Sequence, residues 1–372
     1  MKKKISIVAI VCIIVAVVAL IAVKASSRSE VRIAVNIPLS GPVAALSGNF
    51  PNGFKMGIEE ACHEFGISPT QISVDFQDNA ANPTSAVSVY RQQSIKDYDA
   101  YVVGTTESAN AVVSAMPKTA EKPCFLFVYD AFMPERNPGC FRILPNFRAE
   151  SKLWIKHAEV RQAKKIFMLT LDMSGTEEQF SQIIVPALRS KGIECIRSIY
   201  PAATVDFRLL ARKAKECKPD LVYISGYSFH ISKIISALRE NGIPAEKIMC
   251  CMDFCDLTRT PEDRKKYDGV IFACPAFEVD NSNPKVEDWK KRYRQKFNLP
   301  PTYVEAFAYE NACLLVKAYA ENGKISYNIC KNIKWNDISG KSVGFDEHND
   351  APAEIVIARL INGKIVKLDR GE

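Results

Sequence analysis

The 372-residue chain is 47% hydrophobic and 24% charged, a balance that buries sizeable cores and excludes both a disordered tail and a disulfide-stapled miniprotein. Its formal charge of +7 arises from 49 Lys+Arg against 42 Asp+Glu, but Lys2, Lys3, Lys4 and Lys24 flank one N-terminal apolar run, and subtracting these four leaves +3. So small an excess gives no nucleic-acid footprint, and the length suggests about two domains.

The first element is Ile5 to Val23, nineteen residues without a charge, inside an N-terminal segment of residues 1–30. As a helix it spans ~28 Å, close to the ~30 Å hydrocarbon core, and it exceeds the ~7–15 residues usual for the apolar part of a cleavable signal. The run reads as a membrane anchor. The alternative is cleavage after Ala25, where Val23 and Ala25 are small enough but Lys24 interrupts the site; lipidation at Cys12 is disfavoured because Val11 precedes it, deep in the apolar run. In both readings the lysines stay cytoplasmic and residues from about 26 onward lie outside the cytoplasmic membrane, in the periplasm or at the cell surface.

From Val31 the chain repeats a short β-branched or aromatic run, a turn and a helix of period 3.6, which is the grammar of βαβ units. VRIAVNI (31–37) precedes a helix over 50–65, ISVDFQD (72–78) one over 84–95, and AYVVGTT (100–106) one over 109–120; CFLFVYD (124–130) closes the series. FRILPN (141–146) and a helix over 149–162 open a second series with strands 165–172, 193–201, 221–228, 247–253 and 269–277 and helices over 177–191, 206–217 and 230–241. Helices over 284–297 and 302–322 follow. Asn362-Gly363 then sits between two alternating apolar runs, a two-residue hairpin signal. Continuous apolar strands separated by helices imply parallel sheets covered on both faces, hence an α/β fold with two Rossmann-like lobes.

Twelve cysteines in an exported chain invite disulfides, but many sit in apolar strands, such as Cys124 in CFLFV and Cys274 in VIFAC, and read as core. Cys250, Cys251, Cys255 and Cys274 lack the paired C-x2-C knuckles of zinc sites, so no metal is expected. Neither nucleotide-binding glycine motifs nor H-E-x-x-H occur, and no cofactor is expected. Gly226-Tyr227-Ser228-Phe229-His230 has the position of a nucleophile elbow but carries His230 where the turn needs glycine, so no catalytic residue is assigned.

Ligands in open parallel sheets bind beyond the carboxyl ends of strands. Those ends carry Ser40 within Pro38–Pro42, Thr105, Ser108 and Ala109 within 104–110, then Tyr227 and Asp253. Free N–H groups and the Ser108 hydroxyl at a helix start suit a carboxylate, the alternative being that Ser108 is an N-cap.

The segments NIPLSGPVAALSGNFPNGFKMGIEEA, VDFQDNAANPTSAV, VVGTTESANAV, DLVYISGY and the Pro-x-Tyr-x-x-Ala-x-x-Tyr-Glu helix at 301–310 together resemble the type I periplasmic binding proteins of the leucine/isoleucine/valine-binding kind, the solute receptors of ABC importers. The resemblance runs from Val31 to the C-terminal hairpin. It implies one lobe from 31–147 plus 278–342 and another from 148–277 plus 343–372, joined by three crossovers near 145–149, 275–279 and 340–347 and closing on a solute. Carried over by position, the α-carboxylate contact falls on Ser108 and neighbouring N–H groups, and the ammonium contacts on Tyr227 and Asp253; Ser40, Thr105, Ala109, Asp130 and Tyr303 complete the expected site. Leu46, Ser174-Gly175 and Tyr129-Asp130-Ala131-Phe132 replace residues usual in the family, and Ala81 and Glu107 lie where some members pair cysteines, which separates the fold expectation from branched-chain specificity. The implied function is a monomeric receptor that binds an amino acid or related small polar solute without chemistry and delivers it to a permease. A ligand-sensing receptor of the same fold and a small-molecule hydrolase are the alternatives.

Overall fold

The computed structural model describes residues 30–368 apart from 42, 118–120, 131, 282 and 352. The apolar run 5–23 therefore lies outside the described residues. Among the described residues no helix is long and apolar enough to cross a membrane.

The chain builds β1 (Val31–Ile37), α1 (Phe50–Phe65), β2 (Ile72–Asp78), α2 (Pro83–Ser94), β3 (Ala100–Gly104), α3 (Thr106–Ala115), β4 (Cys124–Phe127) and β5 (Cys140–Phe141), a parallel sheet in the order β2-β1-β3-β4-β5. All five residues of β3 are buried, as a central strand covered by helices on both faces requires. Two boundaries differ from the sequence expectation. The strand expected over 141–146 is paired only at Cys140–Phe141, because Arg142 already bridges to Asp350 of a distant segment. The helix expected from 109 begins at Thr106 and closes at Ala115: Thr105 takes φ 67° at its N-cap, a left-handed turn that starts the helix directly after the strand. Ser108 is thus inside the first turn and is not the cap.

The second half contains α4 (Phe147–Val160) and β6 (Lys165–Leu171), then α5, formed by Ser174–Glu178, a π-helical segment Gln179–Ile184 and Val185–Ser190. β7 (Glu194–Tyr200), α6 (Arg208–Cys217), β8 (Leu221–Ser225), α7 (Ser228–Glu240), β9 (Ile248–Cys250) and β10 (Ile271–Pro275) follow, then α8 (Pro284–Phe297), α9 (Tyr303–Asn322), β11 (Lys334–Asn336), β12 (Ser342–Gly344), β13 (Ile355–Ile361) and β14 (Lys364–Lys367). The second sheet runs β14-β13-β10-β9-β8-β6-β7, with β13 antiparallel to both β10 and β14. Asn362 (φ 51°) and Gly363 (φ 74°) form the turn of the last hairpin, the two positive φ values that its two-residue loop demands. Cys250, Cys251, Cys255 and Cys274 lie within the apolar core.

The chain passes between the two sheets after β5, after β10 and before β13, and α8 and α9 return to the first sheet's side. There α9 lies against α1 so closely that a Cβ on Gly53 would stand 2.2 Å from the Glu305 carbonyl oxygen. Glycine is the one residue that permits this approach. The first and third passages are pinned together by Arg142, whose wholly buried guanidinium donates to Asp350 through Nε at 2.8 Å and Nη2 at 2.9 Å. Asn146 Nδ2 adds a third bond to the same carboxylate at 3.0 Å.

Candidate functional site

The carboxyl ends of the two sheets face each other across a cavity of about 80 Å³. One wall comes from the first sheet and the helices on its side: Pro38 after β1, Thr105 and Thr106 after β3, Tyr129 after β4, and Tyr303 at the start of α9. Tyr303 is held there by a capping box, in which Glu305 Oε2 accepts from Thr302 N at 2.8 Å and from Thr302 Oγ1 at 2.9 Å. This wall carries hydroxyls among apolar side chains such as Ile37, Phe127, Val128 and Val304, and it is neutral. The Thr105 hydroxyl is buried without a hydrogen-bond partner, and the Tyr129 hydroxyl lies against that of Tyr303.

The opposite wall is acidic. Asp253, three residues beyond the end of β9, is half-buried, and Tyr303 donates to its Oδ1 at 2.8 Å across the cleft. Loss of water pushes its carboxyl up to about 7; the Tyr303 hydrogen bond works against the shift and nearby Asp256 adds to it. Glu150 projects from α4, one turn after Phe147, and burial raises it to about 7 as well, against the hydrogen bonds from Gln179 and the Met252 N–H. Those bonds fix it: Gln179 Nε2 donates to Oε2 at 3.0 Å and Met252 N to Oε1 at 2.9 Å. Since Met252 directly precedes Asp253, Glu150 is tied to the same loop, close enough for the Asp253 charge to raise it further. Tyr227, the N-cap residue of α7, faces the same space with its hydroxyl 3.5 Å from Met173 Sδ, and burial raises its phenol to about 12. Among the described residues no lysine, arginine or histidine lines the cavity.

Polar contacts close the seam around it. Ser174 donates to Glu107 Oε1 through both N (2.9 Å) and Oγ (2.8 Å), and Arg136 meets Glu178 at 2.8 Å. On the far side Arg259 is paired with Asp256 at 2.8 Å and with the wholly buried Glu305 at 2.9 Å. Gly175 lies where a Cβ would be 3.1 Å from Phe147 and 3.4 Å from Thr106, so the Ser174-Gly175 pair lets α5 approach the other lobe.

A family model described as periplasmic binding protein matches residues 30–364. The chain belongs to the periplasmic binding protein family. Within it the chain is of type I and of the Leu/Ile/Val-binding kind. It is 22% identical over 206 residues to the Leu/Ile/Val-binding protein BraC3 of Rhizobium johnstonii, a match that spans 54% of this chain and 56% of that relative. Its fold is that of a solute binding protein of an ABC transporter from Rhodopseudomonas palustris in complex with 3,4-dihydroxy benzoic acid, with TM-score 0.78 and 19% identity over 91% of this chain and 95% of that one. It is also that of the branched-chain amino acid transporter substrate binding protein LivJ from Streptococcus pneumoniae in complex with isoleucine, with TM-score 0.77 and 21% identity over 91% and 98%. The family comprises extracytoplasmic binding proteins rather than enzymes.

In this binding protein the cavity brings together Thr105, Tyr227, Asp253 and Tyr303 of the residues expected from sequence. Four others lie off it. Ser40 is exposed, with its N–H directed to Asp78 Oδ1 at 3.3 Å. Ala109 packs in the core under α3, and the Ser108 hydroxyl is buried behind the wall without a partner. Asp130 turns its Oδ1 to the Phe132 N–H at 2.8 Å and caps its own loop. The second acid on the cavity is Glu150, which sequence reading passed over although its signal is present: Phe147, Glu150, Ser151 and Trp154 share the buried stripe of α4, and a charged residue on such a stripe requires an explanation. The nucleophile-elbow lookalike is dismantled, since Ser228 Oγ donates to Asp256 Oδ2 at 3.2 Å and His230 Nε2 donates to the Ala202 carbonyl at 2.9 Å, so serine and histidine do not meet.

Proposed function

We propose that this protein is the solute receptor of an ABC importer and that its cleft holds an amino acid or a closely related small solute, which it passes to a membrane permease. The observation that carries the reading is Asp253: a half-buried carboxylate on a cavity without a basic residue on its described lining, hydrogen-bonded by the Tyr303 hydroxyl and sharing the cavity with Tyr227. Such a site lacks one positive charge, and a ligand ammonium supplies it. The ligand carboxylate lies towards the N–H groups at the start of α3 and the unpartnered Thr105 hydroxyl, where the helix dipole favours negative charge. The lobes are residues 31–147 plus 278–342 and 148–277 plus 343–372, the receptor acts as a monomer, and the run 5–23 tethers it to the cytoplasmic membrane.

The Rhodopseudomonas neighbour holds an aromatic acid, and that reading fits less well here. A benzoate brings a negative charge and no positive one to a cavity that already has two carboxylates. A thermal-shift screen of the purified protein against amino acids, amides, urea and aromatic acids separates the two, since a ligand at a hundred times its Kd adds ~2.7 kcal/mol to the folded state. Stabilisation by amino acids supports the proposal; stabilisation by aromatic acids alone rejects it. Recovery of a soluble protein starting at Ser26 after cell fractionation overturns the tether but not export.

A further inference from the structure

The charge of the cavity is not balanced by one ammonium. Glu150 and Asp253 both line it, and the Met252 N–H that binds Glu150 Oε1 at 2.9 Å ties the Glu150 carboxylate to the residue before Asp253. Asp253 has Tyr303 as a direct donor from the opposite lobe, whereas Glu150 receives its donors from Gln179 and Met252 on its own side and lines the cavity without a donor from across it. Gln179 and Met252 donate to both of its oxygens, bonds that favour the ionised form against the burial that opposes it, and no cation on the described lining neutralises it. A zwitterion with an aliphatic side chain adds one positive and one negative charge and leaves the buried excess unchanged. A solute with a second ammonium cancels part of it. The unpartnered hydroxyl of Thr105 on the same cavity is a further polar atom without a protein counterpart, as expected of a wall completed by a polar ligand.

We infer that Glu150 forms with Asp253 a two-carboxylate subsite that selects a small diamino acid over monoamino acids with aliphatic side chains. The inference rests on the amino-acid reading of the cleft and adds the side chain's chemical class. Asp253 takes the α-ammonium and Glu150 the side-chain ammonium, and a cavity of about 80 Å³ favours a short side chain. Glu150 is a buried acid at the helical position where an apolar ligand side chain would otherwise find an apolar wall, beside Phe147 and Met252.

The test compares α,γ-diaminobutyrate with norvaline, in which a methyl group replaces the terminal ammonium at nearly constant shape, by titration calorimetry on the full-length protein. The expected result is at least about tenfold tighter binding of α,γ-diaminobutyrate, a preference that Glu150→Gln reduces to about one. Equal or tighter binding of norvaline by the native protein overturns the role of Glu150 and leaves the amino-acid reading standing. So does a preference for α,γ-diaminobutyrate that persists unchanged in Glu150→Gln. Binding of neither amino acid overturns the amino-acid reading and this inference together. The comparison within the native protein decides the matter even if Glu150→Gln fails to fold.

Discussion

The two walls of the cleft differ in kind. The first-lobe wall presents hydroxyls, a helix start and phenols, all neutral; the second-lobe wall presents Glu150 and Asp253 with no compensating cation on the described lining. Both are made of the same structural material, residues just beyond strand ends or in the first turn of a helix, so the fold does not dictate the asymmetry. Side-chain choice does. The difference teaches that the fold supplies a place for a ligand and a few buried charges decide what kind of ligand it is.

The largest effect expected from disturbing this asymmetry is on binding. Asp253→Asn keeps the shape and the Tyr303 contact but removes the formal charge, and should weaken binding of an amino acid by about 2–5 kcal/mol, the range for removing one side of a buried hydrogen-bonded charge pair. Titration calorimetry reads this directly, and unchanged affinity would detach the ammonium from Asp253.

The acidic wall should also cost the unliganded protein stability in a pH-dependent way. Unfolded, Asp253 and Glu150 ionise near their ordinary 3.8 and 4.5, whereas in the fold burial holds them near 7. Between those limits the folded state keeps protons that the unfolded state has shed, so stability is greatest below about 4 as far as these two groups are concerned, declines as pH rises, and levels off above about 7. Buried Glu278, raised to about 7, and Glu310, raised to about 8, add to the same trend. Asp253→Asn should therefore stabilise the unliganded protein at pH 7.5 by roughly 1–4 kcal/mol while it weakens binding. Urea denaturation at two pH values checks both the slope and its reduction in the variant; a slope unaltered by the substitution would show that Asp253 does not hold its proton.

The neutral wall should respond more gently. Thr105→Ala removes one hydroxyl but leaves the α3 N–H groups, and should cost about 0.5–1.5 kcal/mol of binding. Ser108→Ala is the sharper control, because its hydroxyl lies off the cavity: a loss as large as that of Thr105→Ala would restore Ser108 to the carboxylate contact implied by family resemblance. The smallest effect belongs to the rim. Glu107→Gln weakens the charge-assisted bonds from Ser174 N and Oγ, contacts near solvent that are worth about 1 kcal/mol or less, and should make closure slightly less favourable without altering ligand preference.

How much of this was legible in the sequence follows the same division. The helices and strands are written in periodic apolar patterns, and Pro284–Phe297 as well as the Asn362-Gly363 hairpin lie where those patterns place them. Boundaries at functional turns were not legible. Thr105 adopts a left-handed backbone that local propensity disfavours for threonine, so the start of α3 was set three residues late and Ser108 was assigned a freer position than it has. Tyr227, Asp253 and Tyr303 were found through strand ends and family resemblance. Glu150 was missed because it belongs to neither: it reaches the cavity from inside a helix, and its charge is unusual only when seen against the buried stripe it interrupts. Asp130 was chosen as an acid by position in a loop, and the loop uses it for its own turn.

The central claim is that a positively charged group on a small solute closes the two lobes on the acidic wall. Small-angle scattering on the purified protein, titrated in parallel with an amino acid found to bind and with its desamino analogue, tests it most directly. The account predicts a decrease in radius of gyration and saturable heat with the amino acid and neither with the analogue lacking the ammonium. Closure by the desamino acid or by benzoate to the same extent would contradict it.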